Sequence, residues 1–453
     1  MSHAAYLLPS APIESVVDYR ARGGGDGLAR ALEIGPAATV SEVSAARLRG
    51  RGGGGFPTGI KWAGIADVPD QRRFVVCNAA EGEPGTFKDR ALLRTNPYQV
   101  LEGIAIAAFA TGAEEAYVGI KEGYRREIAR LETAATEMAG AGILGEVPIR
   151  VVTGPDDYLL GEEKGMLEAI EGRQPLPRWY PPYLIGLHTD MPSGVGAGTS
   201  GWDTRSNPTA VNNVETLANV APILARGADW FRSVGTADSP GAMVFTVSGD
   251  VVTETVVELP MGTPLAVLVH GYGGGLGAGR QVRAVFPGAS NAPVPDSLLD
   301  TPMDFASMSS IGSGLGSGGM IVYDDTACVV RAALLLSRFL AIESCGQCPP
   351  CKLGTDALAD RFLELESGSA DVSTLDQMDA WIGRVTDANR CGLGAGERAL
   401  SAGMLRFFTD DVVAHLGRAC PWPRDLTLPK MTDWDPETGT FTHDVAYFAW
   451  RNP

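Results

Sequence analysis

The first 240 residues alternate short β-branched runs with longer segments whose apolar positions recur at helical spacing. Strand-like runs occur at residues 74–77 and 149–152, and helical patterns occur at residues 97–111 and 124–139. Because strands that alternate with helices usually form a parallel sheet covered by helices, this pattern predicts an α/β domain over residues 1–240.

The pattern changes beyond residue 240. Two short β-branched runs, MVFTVSG and TETVVEL, fall within residues 242–269, and glycine, serine and proline become frequent over residues 271–319. Short strands joined by turn-rich connections are typical of a small β domain. We expect this domain over residues 241–326.

Helical periodicity returns after residue 325. Apolar stripes at helical spacing occur in residues 328–341, 357–365, 374–385 and 396–416. They predict a helical bundle over residues 327–425. The last stretch, residues 426–453, is rich in proline, tryptophan and aspartate, and we expect it to be an irregular docking tail.

The composition is that of a folded, acidic protein. Hydrophobic residues make up 45% and charged residues 20%, and the formal net charge is −17. This charge disfavours nucleic acid and anionic membranes, and it favours either docking on other proteins or solubility alone. The amino terminus lacks a basic secretory start, and Arg331 and Arg338 interrupt the most apolar stretch. We therefore expect a cytoplasmic protein without direct membrane insertion.

Three cysteines are clustered in the helical region. Cys345, Cys348 and Cys351 form a CxxCxxC run, and Cys391 follows in the turn-like segment NRCGLGAG. Three closely spaced thiolates with one remote cysteine suit the ligation of a [4Fe-4S] cluster. Four cysteines also suit tetrahedral zinc, although zinc ribbons use two CxxC pairs, and inert core thiols are a third alternative.

The remaining cysteines and the histidines show no comparable pattern. Cys77, Cys328 and Cys420 stand singly and are expected to be buried, unreactive side chains. The histidines have no ligand spacing, and no Cys-His arrangement is predicted. They occupy positions 3, 188, 270, 415 and 443.

The segment RGRGGGGFPTGIKW predicts a ligand-binding loop. Consecutive glycines allow main-chain N–H groups to approach a phosphate or the face of a ring, and two cations flank them. A flexible linker is the alternative, but Phe56, Pro57 and Trp62 are costly in a linker. The predicted ligand-binding residues of the loop are Arg51, Gly52, Gly53, Gly54, Gly55 and Lys61.

Two groups of carboxylates follow predicted secondary structure. Glu81 and Glu83 come after the strand-like run FVVC, and α/β proteins bind ligands at the carboxyl ends of strands. Glu162 and Glu163 follow Tyr158 in YLLGEEKG. An adjacent acidic pair is also common at a solvated helix start.

The order of these motifs resembles the flavin-binding F subunit of respiratory complex I and its paralogues in NAD-linked formate dehydrogenases and hydrogenase diaphorase modules. The motifs are RGRGGxGFPTGxKW, CNxxExEPGxFKDR, YxxGEE, NPTAVNNVETLANV and ESCGQCxPC, followed by a late single cysteine. The resemblance extends over residues 25–425. It implies a Rossmann-like flavin domain, a ubiquitin-like β-grasp domain and a helical [4Fe-4S] domain, in that order.

The resemblance also implies roles for individual residues. The glycine loop with Lys61 would hold FMN, Phe56 would stack on NADH, and Glu83 would bind the adenosine ribose hydroxyls. Glu162 and Glu163 would face the nicotinamide, and together with Glu81 they are the predicted catalytic carboxylates. The residues expected to line the flavin are Asn78, Tyr158, Asn212 and Asn213.

Two positions depart from the family pattern. The family usually has an aromatic residue three positions after the lysine of GxKW, where this chain has Gly64. One stacking wall for the adenine would then be missing, or Tyr183 or Trp179 would supply it. The family also favours an aspartate beside the flavin, where this chain has Ala80. Both departures favour an NAD-linked formate dehydrogenase over complex I.

The function implied by the resemblance is electron transfer between NAD(H), FMN and a [4Fe-4S] cluster, with the hydride chemistry supplied by the flavin. The expected partners are a thioredoxin-like [2Fe-2S] subunit and a large catalytic or cluster-carrying subunit of the same complex. The alternative of another class is a non-catalytic scaffold or electron-wire subunit that has kept the cluster and lost nucleotide binding.

Overall fold

A computed structural model describes residues 4–69, 71–189, 206–422, 424–435 and 438–448. The chain divides into two units, and each is discontinuous in sequence. The first unit consists of Met1–Glu81 and Asp89–Met243, and the second consists of Gly82–Lys88 and Val244–Pro453. The four domain boundaries expected from the sequence stay a prediction.

A parallel four-stranded sheet forms the core of the first unit. Its strands are β1 (Phe74–Ala79), β2 (Glu115–Lys121), β3 (Ile149–Gly154) and β4 (Thr209–Asn213). Their order is β3-β2-β1-β4, and all three pairings are parallel. Almost every position of β1 and β2 is buried, as is typical of a sheet covered on both faces. The predicted α/β class with a parallel sheet is confirmed.

Helices surround this sheet. The central one, residues 97–111, is buried along almost its entire length, and its ends follow from local chemistry. Asn96 caps it by accepting the Gln99 N–H, Pro97 occupies the first turn, and Gly112 ends it in the left-handed conformation. The helices are α1 (Val16–Ala21), α2 (Asp26–Ile34), α3 (Pro36–Ala45), α4 (Thr58–Ala66), α5 (Lys88–Thr95), α6 (Pro97–Thr111), α7 (Arg125–Gly140), α8 (Glu163–Ile170), α9 (Val214–Ala218), α10 (Val220–Arg226) and α11 (Ala228–Arg232).

A mixed five-stranded sheet lies in the second unit. Its strands are β5 (Ala242–Gly249), β6 (Thr255–Pro260), β7 (Val282–Pro287), β8 (Val294–Pro295) and β9 (Gly319–Asp324), and a short helix, α12 (Phe305–Ser310), precedes the last of them. The strand order is β6-β5-β9-β7-β8. β5 runs parallel to β9, whereas β7 is antiparallel to both β8 and β9.

The rest of the second unit is mainly helical. Its helices are α13 (Val329–Glu343), α14 (Pro349–Ser367), α15 (Val372–Ile382), α16 (Leu393–Phe407) and α17 (Thr409–Ala414). α14 begins earlier than the apolar pattern predicts, because Pro349 can occupy the first turn directly after Cys348. The helical pattern over residues 396–416 is divided between two helices at Phe408. Among the described residues, no helix combines the length and the apolarity needed to cross a bilayer.

The carboxyl-terminal tail differs from the expected irregular segment. β10 (Met431–Asp435) pairs antiparallel with β11 (Thr440–His443). The rings of Trp434 and Phe441 stack at 6.2 Å across this hairpin, and Phe441 also meets Phe87 edge-on at 5.6 Å. Cross-strand aromatic contacts of this kind stabilise a hairpin that its polar sequence does not predict.

Candidate functional site

The glycine-rich loop is closed at its base. Gly50 N–H donates to the carbonyl oxygen of Phe56 at 2.9 Å. Gly53 and Gly55 have φ angles of 107° and 58°, a region in which other residues are strained. The loop conformation therefore requires glycine at these two positions, which a flexible linker would not.

The loop lies against the end of β4. A Cβ atom at Gly52 would stand 3.1 Å from Asn213 Cβ, whereas a Cβ atom at Gly54 would meet nothing within 4 Å. The N–H of Arg51 donates to Thr216 Oγ1 in α9 at 2.8 Å. One part of the loop is thus held by β4 and α9, while the backbone at Gly54 is open to a ligand.

The side chain of Arg51 has a structural role that the sequence did not predict. Its guanidinium is buried and donates to the carbonyl oxygens of Pro240 at 2.9 Å and Ala242 at 3.2 Å. Burial lowers the pKa of this guanidinium, and the nearby carboxylate of Glu215 opposes the shift. The guanidinium of Arg51 therefore ties the loop to the end of the first unit, and its part in ligand binding stays a prediction.

Asparagines occupy the carboxyl ends of two neighbouring strands. Asn78 on β1 lies opposite Asn213 on β4 in register. Asn78 Nδ2 donates to the carbonyl oxygen of Gly161 at 2.7 Å, Asn213 caps α9, and Trp62 Nε1 donates to Asn212 Oδ1 at 2.9 Å. These three amides are therefore held in fixed orientations at the edge of the sheet where parallel α/β proteins bind ligands.

Lys61 joins the loop motif to the acidic pair. Its ammonium donates to the carbonyl oxygen of Val211 in β4 at 2.9 Å and forms an ion pair with Glu163 at 3.4 Å. Both side chains remain partly exposed, at 25% and 39%. Three segments that are far apart in sequence thus meet here: the glycine loop with α4, the strand β4 and the start of α8.

Glu162 caps α8 and has an unusual protonation equilibrium. Its carboxylate accepts the N–H groups of Lys164 and Gly165, both at 2.9 Å. Burial raises the pKa of Glu162 to about 7, and the neighbouring charge of Glu163 adds to the increase, while Lys164 and the two N–H groups oppose it. This carboxyl group can therefore change its charge near neutral pH.

We expect Glu162→Gln to remove a pH-dependent part of the stability. Because the folded-state pKa is raised, protonated Glu162 contributes stability that is fully present below the unfolded pKa and is lost as the pH rises through about 7. As the pH rises from about 5 to about 8, the melting temperature of the wild type should therefore fall relative to that of the variant. Calorimetry of both proteins across this range measures the difference, and a difference that does not change with pH would contradict the assignment.

The predicted carboxylates after β1 lie in different units. Glu81 accepts the N–H groups of Asp89 and Arg90 in the first turn of α5, both at 3.2 Å, and so stabilises the helix start. Glu81 therefore has a structural role at the start of α5, and its catalytic role stays a prediction. Glu83 belongs to the second unit, where its Oε1 accepts the N–H of Ala289 at 2.7 Å.

The aromatic residues proposed for nucleotide binding are exposed. Phe56 is 53% exposed, Tyr183 is 56% exposed and Trp179 is 55% exposed, whereas Tyr158 is half-buried at the start of a 3₁₀ turn. Single exposed rings are common on protein surfaces, so exposure alone does not assign a ligand to them. Their individual contacts with NADH or FMN stay predictions.

The CxxCxxC run lies between α13 and α14. Burial raises the pKa of the Cys351 thiol, and electrostatic interactions with Cys348 and Cys345 raise it further. Gln347 Nε2 lies 3.6 Å from Cys345 Sγ, and Ser344 Oγ lies 3.5 Å from Cys351 Sγ. Two of the sulfur atoms thus each have a polar side chain beside them, as ligating sulfur atoms in iron–sulfur sites often do.

The segment with Cys391 reaches the same place. The N–H of Arg390 donates to Cys348 Sγ at 3.3 Å, which brings the distant cysteine beside the triplet. Gly346 has a φ angle of 78°, and a Cβ atom at Gly346 or Gly392 would meet nothing within 4 Å. The triplet, the segment with Cys391 and the open space at Gly346 and Gly392 therefore suit a cluster that needs one remote ligand.

A buried carboxyl group near the cysteines was missed by sequence reasoning. Glu397 is fully buried in α16 and accepts the hydroxyls of Ser337 at 2.9 Å and Ser401 at 2.8 Å. Burial raises its pKa to about 7. The signal in the sequence was a glutamate on the apolar stripe of a helix, between Leu393 and Leu400.

The sequence patterns also did not predict a second group of potential metal-binding side chains. Cys328, His415 and Cys420, expected to be unrelated, place one ligand atom each within 4.8 Å of the others. The expectation that the chain has no Cys-His arrangement was wrong, because the three residues meet only in the folded structure.

Two family models match the chain. Residues 43–222 match the Nuo51 FMN-binding domain, and residues 331–415 match the NADH-ubiquinone oxidoreductase-F iron-sulfur binding region. The first range contains the glycine loop and the ends of β1 and β4. The second contains all four cysteines predicted to bind the cluster.

Similar proteins extend over nearly the whole chain. The F 2 subunit of the NADH-quinone oxidoreductase of Rhizobium meliloti is 40% identical over an alignment of 417 positions, and the alignment covers 89% of this chain and 95% of that subunit. The F subunit of the Streptomyces coelicolor NADH-quinone oxidoreductase is 36% identical over 93% of this chain and 91% of its own length. Among solved structures, the NAD+-reducing [NiFe]-hydrogenase in the H2-reduced state matches with a TM-score of 0.77 and 32% identity, over 92% of this chain and 68% of that one.

The fold and these sites define an oxidoreductase subunit of an NADH dehydrogenase module that binds a flavin and an iron–sulfur cluster. The chain belongs to the family of F subunits of NADH-quinone oxidoreductases. FMN, a [4Fe-4S] cluster and NADH, predicted from the sequence motifs, are confirmed as its cofactors and substrate. The zinc alternative for the four cysteines is thereby set aside.

Proposed function

We propose that this chain is the diaphorase subunit of an NAD-linked oxidoreductase, and in particular the beta subunit of a formate dehydrogenase. The observation that carries the diaphorase function is the meeting of the open glycine loop, the strand ends at Asn78 and Asn213, and the Lys61–Glu163 ion pair within the first unit. FMN, when bound, supplies the conversion between two-electron and one-electron transfer.

In this proposal the residues of the first unit bind and orient. Main-chain N–H groups of the glycine loop hold the FMN phosphate, and the fixed amides of Asn78 and Asn213 contact the flavin ring. Glu162 and Glu163 place negative charge where the nicotinamide becomes cationic when it gives up hydride. Such fixed charges stabilise the oxidised nucleotide as it forms.

The choice of formate dehydrogenase rests on the two departures from the family pattern. Gly64 is exposed on α4, and a Cβ atom there would meet nothing within 4 Å, while Ala80 is only 2% exposed. Two other parent complexes are candidates. The similar NADH-quinone oxidoreductase subunits favour the F subunit of complex I, and the similar hydrogenase structure favours a hydrogenase diaphorase subunit.

We extend the proposal to the second unit and to the partners. Its five-stranded sheet is assigned as the β-grasp domain, and α13 to α17 are assigned as the cluster domain. The partners are a thioredoxin-like [2Fe-2S] subunit and a large catalytic or cluster-carrying subunit. The cytoplasmic location expected from the sequence stays a prediction.

The parent complex is tested by purifying the chain, with an affinity tag, from the cells that encode it. NAD+ reduction by the recovered complex is measured with formate and with H2, and NADH oxidation is measured with a quinone. Activity with formate supports the proposal. Activity with H2 alone, or quinone reduction alone, assigns the chain to one of the other complexes.

The diaphorase function itself is tested on the isolated chain. After reconstitution with FMN, iron and sulfide, NADH should bleach the flavin absorption, and it should reduce an artificial acceptor catalytically. A chain that carries four irons but binds neither FMN nor NADH would instead be the scaffold or electron-wire subunit.

We expect Gly54→Ala to weaken FMN binding by about tenfold or more, equivalent to about 1.4 kcal/mol. The added methyl group meets no protein atom within 4 Å, so it occupies space that the proposal gives to the flavin. Fluorescence titration of FMN measures the effect, and Gly140→Ala, at an equally open position in α7, is the matched control. Equal affinities for the two variants would contradict the placement of FMN at the loop.

A further inference from the structure

Cys328, His415 and Cys420 converge in the second unit from separate elements. Cys328 is the residue immediately before α13, His415 follows α17, and Cys420 lies in the segment beyond it. Cys328 Sγ lies 3.3 Å from His415 Nε2, and all three potential ligand atoms lie within 4.8 Å of one another. Cys328 and His415 are fully buried, and Cys420 is half-buried.

The orientation of the imidazole is fixed by its other nitrogen. His415 Nδ1 lies 2.6 Å from the carbonyl oxygen of Asp411, so Nδ1 carries the proton and donates it. Nε2 is then left with a lone pair that faces Cys328 Sγ at 3.3 Å. The ring also stacks on Trp422 with an angle of 17° between the planes. A backbone carbonyl that fixes the tautomer is the usual arrangement around a metal-binding histidine.

Arg331 places a hydrogen-bond donor and a positive charge beside the sulfur atoms, which favour thiolates, whereas burial of Cys328 favours the thiol. The N–H of Arg331 donates to Cys328 Sγ at 3.3 Å at the start of α13. The guanidinium of Arg331 interacts electrostatically with both Cys328 and Cys420, and its Nε donates to Glu366 at 2.9 Å. Without a cation, burial raises the pKa of Cys328 to about 12, so this thiol is then protonated.

We propose that Cys328, His415 and Cys420 bind one Zn²⁺ ion, with a water molecule or another exchangeable ligand in the fourth position. Typical zinc bonds of about 2.0 Å to nitrogen and about 2.3 Å to sulfur require a nitrogen–sulfur separation of about 3.5 Å. The separation between His415 Nε2 and Cys328 Sγ is 3.3 Å, which is close to this value. Binding releases the two thiol protons to solvent, and the two thiolates then neutralise the charge of the ion.

This site uses none of the four cysteines predicted to bind the iron–sulfur cluster. The iron–sulfur binding region of the family covers residues 331–415, which include the four cluster cysteines but neither Cys328 nor Cys420. The zinc would join the start of α13 to the segment after α17. Its role is to stabilise the helical part of the second unit and not to carry electrons, since Zn²⁺ has no redox chemistry.

The test uses the full-length protein with its cluster, purified from cells that were grown with zinc in the medium. The zinc content and the iron content of each sample are measured separately. We expect about one zinc for each chain in the wild type. Cys420→Ala should lose the zinc and keep the iron, whereas Cys391→Ser should lose iron and keep the zinc. Cys77→Ala, at a buried cysteine outside both sets, should keep both metals. Replacement of the zinc by Co²⁺ should produce thiolate-to-cobalt absorption that Cys420→Ala lacks.

A second measurement applies if Cys420→Ala does not fold. In the wild type, a chelator that removes the zinc should accelerate alkylation of the half-buried Cys420, as identified by mass spectrometry. The proposal is overturned if the wild type holds no zinc, if folded Cys420→Ala keeps its zinc, or if removal of the zinc leaves the alkylation of Cys420 unchanged. A disulfide between Cys328 and Cys420 in the native protein would also overturn it.

Discussion

Cys391→Ser is expected to remove most of the iron and sulfide from the purified chain, although this residue is remote in sequence from the other three ligands. An iron of a [4Fe-4S] cluster that has lost its thiolate is labile, and binding of the cluster is coupled to folding around it. The hydrogen bond from Arg390 N–H to Cys348 Sγ, at 3.3 Å, shows that this segment reaches the cluster site. Iron and sulfide analysis measures the outcome.

Cys77→Ala is the matched control for this substitution. Cys77 is fully buried in β1, so the control also removes a buried sulfur but leaves the cluster ligands intact. It should keep all four irons, and both variants should still bind FMN. An unchanged iron content in Cys391→Ser would exclude Cys391 as a ligand.

Glu83→Gln is expected to narrow the preference for NADH over NADPH, mainly by improving the use of NADPH. A carboxylate beside the adenosine ribose accepts hydrogen bonds from the 2′-hydroxyl and repels a 2′-phosphate. Two charges about 4 Å apart interact by roughly 4 kcal/mol at an effective dielectric of about 20, so even a screened clash gives a tenfold preference or more. The amide keeps the size of the side chain and can still accept the N–H of Ala289.

Steady-state diaphorase activity with both nucleotides and an artificial acceptor measures this preference. Glu33→Gln, which removes an exposed carboxylate of α2, controls for the change in net charge. It should leave the ratio of kcat/KM values unchanged. If the wild type used both nucleotides equally well, or if Glu83→Gln left the ratio unchanged, Glu83 would not bind the ribose.

The fold was predictable where its signals are local. The helix over Pro97–Thr111 has its cap, its first-turn proline and its terminal glycine adjacent in sequence, so its bounds agree with the pattern. The tail hairpin was not predictable. Its stability depends on contacts such as that between Phe87 and Phe441, whose partners are far apart in the chain.

The same distinction applies to the sites. The motif around Lys61 and the cysteine triplet are each contiguous, so the chemistry of each could be inferred from residue types and spacing. The burial of the Arg51 guanidinium against Pro240 could not be inferred, because a flanking arginine is equally suited to a phosphate. The meeting of Cys328 with His415 depends on how the helices pack, which no spacing rule encodes.

The discontinuity of the second unit has a consequence for how the protein is made. Gly82–Lys88 belongs to that unit, yet its partners there are synthesised much later. The N–H of Phe87 donates to Thr246 Oγ1 at 3.0 Å, and the N–H of Gly85 donates to the carbonyl oxygen of Pro429 at 2.8 Å. During translation this short segment therefore lacks part of its native partners, Pro429 among them, until almost the whole chain has been synthesised. A fragment that begins at Val244 would lack it permanently, so the second unit is not a candidate for expression by simple truncation.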